Sequence, residues 1–170
     1  MLEKILNAES VAIVGASTNE TKRGYQAIRI LLDEKFDGKI YPVNPKEKKI
    51  LGLPCFAKIS DIKEPVDIAL ITTPAATVAS ILDDCGKKGV SGAVIIAGGF
   101  GETGLEGKAL EREIIASAEK NRIRIIGPNT SGMMNLKKNL NLVGLRDAPK
   151  GEIALLTQSC LLYTSPSPRD

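Results

Sequence analysis

The sequence predicts a doubly wound α/β fold with a mainly parallel sheet of five or more strands. Three observations carry that prediction. Short apolar runs alternate with segments of helical periodicity, the mark of βαβ units. The runs are continuously apolar rather than alternating, which fits strands covered by helices on both faces. Glycines and prolines separate the runs at the places where such units turn.

The elements follow in order. Val11 to Val14, within SVAIVGAS, is the first strand. A helix from about Gly24 to Lys35 carries Ile28, Leu31 and Leu32 on one face. Lys39 to Val43 is the second strand, stopped by the prolines of YPVNP, and a loop containing LGLPCF comes next. Asp67 to Ile71 is the third strand. Thr73 is placed to cap the next helix, with Pro74 at its first position, where a missing N–H costs nothing. That helix runs to about Lys88 and ends at Gly89. Gly92 to Ile96 is the fourth strand, and the loop AGGFGETG leads into a helix from about Leu105 to Lys120. Arg122 to Ile126 is the fifth strand, followed by GPN. Residues 136 to 150 read as a polar, lysine-bearing connection. Glu152 to Leu156 then reads as the first strand of another domain. The pattern is that of a Rossmann-like sheet over residues 1–150.

Composition narrows the function classes. Of 170 residues, 43% are hydrophobic and 25% charged, an ordinary balance for a soluble domain with a real core. The net charge of +3 is too mild for a nucleic-acid footprint, and 4% aromatics provide no stacking platform. The amino terminus is too short and too charged for a signal peptide, and no apolar run approaches a membrane span, which predicts a cytoplasmic protein. No cysteine pair has zinc-ligand spacing, so no metal site is predicted. The chain contains no histidine, so no catalytic residue of a Ser-His, Cys-His or His-metal kind resides within it. Cys55 and Cys85 are expected to be buried, inert thiols.

The informative segment is VAIVGASTNETKRGY, where a strand passes into a helix. Backbone N–H groups and the helix dipole make such a junction an anion site. Gly15 allows the turn, Ser17 and Thr18 add hydroxyl donors, and Lys22 and Arg23 add positive charge. Gly24 permits close helix packing or close ligand approach. The spacing is not G-x-G-x-x-G, and no acid follows the second strand to hold a ribose diol, which disfavours NAD. That place reads Val43-Asn44-Pro45-Lys46. Lys46 is either one exposed lysine of the run KEKK or a contact to a phosphorylated ribose. Coenzyme A, with a 3′-phosphate and a diphosphate, matches both the loop and the lysine.

SVAIVGAS, the long loop to RGY, GKIYPVNPK, LGLPCF, PVDIALITTPA, GAVIIAGGFGETG and RIIGPNTSG occur in this order. Together they resemble the CoA-binding domain of NDP-forming acyl-CoA synthetases, the ADP-forming acetate–CoA ligases and the succinyl-CoA synthetase alpha subunit among them. The resemblance covers nearly all of residues 8 to 159. It implies that Gly15, Ser17 and Thr18 line a phosphate loop, with Lys22 and Arg23 near the phosphates. It places Val43, Asn44, Pro45 and Lys46 at the adenosine end. Thr73 and Pro74 border the pantetheine. Ala97, Gly98 and Gly99 let the arm pass, and Gly127, Pro128 and Asn129 stand near the reactive end. For Pro74 and Gly104 a turn role is the favoured alternative. Thr130 and Ser131 stand where many relatives have a cysteine after GPN. The family's phosphorylated histidine and its ATP-grasp region, which brings ATP or ADP and magnesium, belong to domains or subunits outside this chain. Partners are thus CoA or acyl-CoA and those further domains, with neither nucleic acid nor membrane.

EIALLTQS, residues 152–159, resembles the start of the family's second domain, so residues 151–159 are expected to be its truncated beginning. The last eleven residues, CLLYTSPSPRD, resemble the in-frame translation of a transposase adapter used in preparing sequencing libraries. They are expected to be a non-native tail, with the natural chain continuing past Ser159. Other readings are a stand-alone CoA-binding regulator, the CoA-binding module of a protein acetyltransferase, and an NAD-binding oxidoreductase domain.

Overall fold

The computed structural model describes residues 2–146, 148–152 and 154. Helix α1 (Leu2–Leu6) precedes β1 (Ser10–Val14), and α2 (Arg23–Asp33) leads to β2 (Lys39–Val43). A small hairpin, β3 (Lys49–Ile50) and β4 (Leu53–Pro54), precedes β5 (Ile68–Ile71). Then come α3 (Ala75–Lys88), β6 (Gly92–Ile95), α4 (Leu105–Asn121) and β7 (Arg124–Ile126). A second hairpin, β8 (Met134–Asn135) and β9 (Leu140–Asn141), completes the described elements.

β1, β2, β5, β6 and β7 form one five-stranded sheet in the order β2-β1-β5-β6-β7, every pairing parallel. The central strands β1, β5 and β6 are buried at every position, so their mainly apolar runs serve both faces of the sheet. Successive side chains point to opposite faces. Val11 and Ile13 pack with Ala27, Ile28 and Leu31 of α2, while Ala12 and Val14 pack with Val78, Leu82, Ile114 and Ala118 of α3 and α4. Truncating a fully buried residue such as Leu82 to alanine is expected to cost about 2–5 kcal/mol. At the amino-terminal end of the sheet, Asp67 accepts from the Glu9 N–H (2.9 Å) and the Ser10 hydroxyl (3.0 Å) and pairs with Lys4 (3.2 Å), which fastens α1.

The structure moves several boundaries. Thr73 does not cap α3: Pro74 occupies the cap position, with no side-chain capping bond, because the extended backbone at Pro74 holds Thr73 a residue further out. The Thr73 hydroxyl instead accepts from Thr77 at 2.9 Å. The fifth strand begins at Arg124, since Arg122 ends α4 in the left-handed conformation, φ 56°. The expected connection at 136–150 begins inside the second hairpin, which ends at Asn141. Its asparagines organise it: Asn141, 1% exposed, donates to Glu34 Oε1 and to the Leu145 carbonyl, each at 2.7 Å. Leu140 and Leu142 thereby cap the α2 face of the core. Of the expected strand at 152–156 only Glu152 and Ala154 are described, and the adapter-like tail at 160–170 lies outside the described residues. Among the described residues no helix is long and apolar enough to cross a membrane.

Candidate functional site

The predicted site residues sit at or beyond the carboxyl ends of strands, Val43 as the last residue of β2, or at the start of the helix that follows. The connection leaving β1 runs to β2 on one side and the connection leaving β5 runs to β6 on the other, so the two diverge between β1 and β5. Open parallel sheets place ligands at that switch point. The loops meet there. Gly15, with φ +86°, donates its N–H to the Val43 carbonyl at 3.1 Å. A Cβ at Gly15 would lie 2.5 Å from Thr72 Oγ1, so only glycine lets the first loop close on the loop after β5. Asn44 donates from its amide to the Ala16 carbonyl (2.6 Å) and accepts the Lys46 N–H (2.9 Å). Asn44 thus ties the loop after β2 to the loop after β1 with both ends of one side chain.

The loop after β1 is open toward solvent as an anion cradle. The N–H groups of Ala16, Ser17 and Thr18 donate to no acceptor among the described residues. The Ser17 hydroxyl accepts the Asn19 N–H at 3.1 Å, and the Thr18 hydroxyl donates to Glu47 Oε1 at 3.1 Å. Lys22 and Lys46 are exposed and form no ion pair among the described residues. A row of N–H groups, a helix start and two uncommitted ammonium groups suit a phosphorylated ligand. Arg23 is differently engaged: its guanidinium donates to the Val143 carbonyl at 3.0 Å and the Ser131 carbonyl at 3.4 Å, holding the second hairpin against α2. That bond was invisible in sequence because its partners lie more than a hundred positions away.

The loop after β6 is finished otherwise. Glu102, which sequence reasoning did not single out, accepts the N–H groups of Gly99 (2.7 Å) and Phe100 (3.2 Å), and Glu111 accepts that of Gly101 (3.0 Å). The Gly99 N–H, with other backbone donors, holds the Glu102 carboxyl below the usual glutamate range. The signal available in sequence was an acid directly following GGFG. Asn129, φ 52°, donates its N–H to the Ala97 carbonyl at 3.0 Å, which brings the last two predicted loops together.

Thr73 is half-buried and Pro74 exposed at the start of α3, where a Cβ at Gly15 would also touch Thr73. An open groove of about 520 Å³ continues from Arg23 past Ile96, Asn129, Thr130 and Ser131 to Val143. A second groove, about 570 Å³, runs along α2 past Tyr25, Arg29 and Arg146 and, Arg23 apart, takes in none of the predicted residues. Burial pushes the Cys85 thiol up to about 12. Cys55 is only half-buried, against the expectation, and burial raises its thiol too. Among the described residues no group of histidine, cysteine and acid side chains could hold a metal.

The comparisons with known proteins agree on one family. The family described as CoA binding domain matches residues 9–135. The chain is 42% identical over 159 residues to the alpha subunit of an ADP-forming acetate–CoA ligase II of Pyrococcus furiosus, covering 94% of this chain and 35% of that one. It is 45% identical over 159 residues to an ADP-forming acetate–CoA ligase of Methanocaldococcus jannaschii, covering 93% and 22%. The solved structure of a dinucleotide-forming acetyl-coenzyme A synthetase 1 from Ca. Korarchaeum cryptofilum, in complex with phosphate and ADP, superposes with a TM-score of 0.90 at 39% identity, covering 95% of this chain and 35% of that chain. The chain therefore spans about a quarter to a third of the length of these relatives. By the family match and the geometry together, the chain belongs to the CoA binding domain family, whose cofactor is coenzyme A.

Proposed function

We propose that this chain is the coenzyme A-holding front portion of an NDP-forming acyl-CoA synthetase. The complete enzyme would join an acid to CoA with conversion of NTP to NDP and phosphate, in the cytoplasm. The observation that carries the reading is the grouping of open N–H groups at Ala16–Thr18 with Lys22 and Lys46, which form no ion pair among the described residues, beyond the ends of β1 and β2. Coenzyme A has its diphosphate and its 3′-phosphate at matching ends of one nucleotide.

In this reading Gly15, Ser17 and Thr18 cradle the diphosphate, and Lys22 neutralises it. Val43, Asn44 and Pro45 form the seat of the adenosine, and Lys46 meets the 3′-phosphate. Arg23 acts from behind, by fixing the hairpin to the helix that starts the cradle. Thr73, Pro74, Ala97, Gly98, Gly99 and Asn129 border the arm. The chain contains no histidine, so the phosphorylated histidine of the reaction would come from the second domain, which residues 151–159 would begin. The NAD reading is disfavoured by Asn44, which stands where a ribose-binding acid would and already uses its amide within the protein.

Titration calorimetry with CoA, dephospho-CoA and NAD tests this. CoA is expected to bind, dephospho-CoA to bind about tenfold more weakly through loss of one charge-assisted contact, and NAD to give no signal. Equal binding of CoA and dephospho-CoA removes the Lys46 contact. Absence of CoA binding, or a clear NAD signal, overturns the reading.

A further inference from the structure

Consecutive backbone N–H groups in a glycine loop attract anions wherever they are free. Among the described residues such rows follow β1 and β6. The second is already filled: Glu102 takes the N–H groups of Gly99 and Phe100, and Glu111 takes that of Gly101. The filling carboxylate is exposed, and Asn129, which lines the groove past Ile96, stands near it across Gly98. A Cβ at Gly98 would lie 3.1 Å from Glu102 Oε1 and 3.2 Å from Asn129 Oδ1. Two acceptor oxygens therefore face the bare backbone of Gly98.

We infer that Glu102 is a positioning residue that sets the polarity of the cleft. Its carboxylate uses up the donors a phosphate would need at the β6 end and repels anions from it. The same carboxylate, with Asn129, leaves acceptors for the amide N–H groups of an uncharged arm. A ligand with phosphates at one end and an amide chain at the other is thereby held in one direction, phosphates toward Lys22 and Lys46. This inference rests on the coenzyme A reading above.

The experiment compares the full chain with Glu102→Gln and Glu102→Ala in calorimetric titrations. The ligands are CoA and adenosine 3′,5′-bisphosphate, which keeps the phosphorylated adenosine and lacks the arm. Glu102→Ala is expected to weaken CoA about tenfold and the bisphosphate by less than about twofold, the scale of a lost charged hydrogen bond. Glu102→Gln keeps an acceptor without the charge and is expected to fall between, at about threefold on CoA. It also carries the test if the alanine variant does not fold. Equal loss on both ligands would mean a loop that merely holds the fold together, and no loss on either would mean an idle carboxylate. Either result overturns the inference while the coenzyme A reading stands. Failure of the unmodified chain to bind CoA removes that reading first.

Discussion

The loop after β1 and the loop after β6 each rest on a glycine of the helix that follows. A Cβ at Gly24 would lie 2.2 Å from the Gly15 carbonyl oxygen, and one at Gly107 would lie 1.7 Å from the Phe100 carbonyl oxygen. Both loops present a row of backbone N–H groups at the carboxyl edge of the same sheet. They differ in what meets those groups. After β1 no described acceptor meets Ala16, Ser17 or Thr18, and exposed lysines stand nearby. After β6 the protein supplies its own carboxylates. Shared scaffold geometry thus yields two electrostatically opposite ends, and the difference lies in a few side chains that follow each glycine turn.

The largest expected effect separates scaffold from chemistry. Gly24→Ala and Gly107→Ala each force a helix away from a backbone oxygen that has nowhere to go, and each is expected to cost about 2–3 kcal/mol of stability in urea unfolding. Their effects on ligand should diverge. Gly24→Ala displaces the cradle and should weaken adenosine 3′,5′-bisphosphate at least about tenfold, whereas Gly107→Ala should leave that ligand within about threefold. Equal losses would mean that the two loops do not have separate roles.

Next in size is the division of labour between the two lysines. Lys46→Ala is expected to weaken CoA about tenfold and to leave dephospho-CoA unchanged, since only the 3′-phosphate contact is lost. Lys22→Ala should weaken both ligands together, because both carry the diphosphate. Calorimetry on the two variants with the two ligands reads this directly. If Lys46→Ala weakens both ligands equally, Lys46 serves a general positive field and recognises no particular phosphate.

The contrast between the loops was half legible in the sequence. The strands were, because short apolar runs bounded by glycine and proline alternate with helical periods; the second strand, Lys39–Val43, has the bounds read from sequence. The first loop was legible because its chemistry is local: Gly15, Ser17, Thr18 and Lys22 lie within one turn of chain. What was missed depends on distant partners or on conformations that residue type does not announce. Arg122 ends α4 with positive φ although it is not glycine. The two-residue strands of both hairpins are too short to show a period. The bonds from Arg23 to the Val143 and Ser131 carbonyls join positions more than a hundred residues apart, which sequence spacing does not show. Glu102 was passed over because an acid in a glycine loop looks like a solvated surface charge, and only the fold shows which N–H groups it meets.

The smallest expected effect tests that last contrast without any mutation. The Glu102 carboxyl is held below its ordinary range by the Gly99 N–H and its neighbours. A folded-state value below the unfolded one means that the clamp adds stability above the unfolded value, near pH 4, and that this is lost as pH falls through the folded value. Because the group is exposed, the loss should be local and should not unfold the chain. In a two-dimensional amide NMR titration from neutral pH downward, the Gly99 and Phe100 cross-peaks should move together, with a midpoint below the ordinary glutamate range. The Ala16 and Ser17 cross-peaks should stay in place over that range, since neither residue contacts a carboxylate among the described residues. Movement of the Ser17 and Gly99 amides with one midpoint would mean that a single acid governs both ends, and the opposition between the loops would fail.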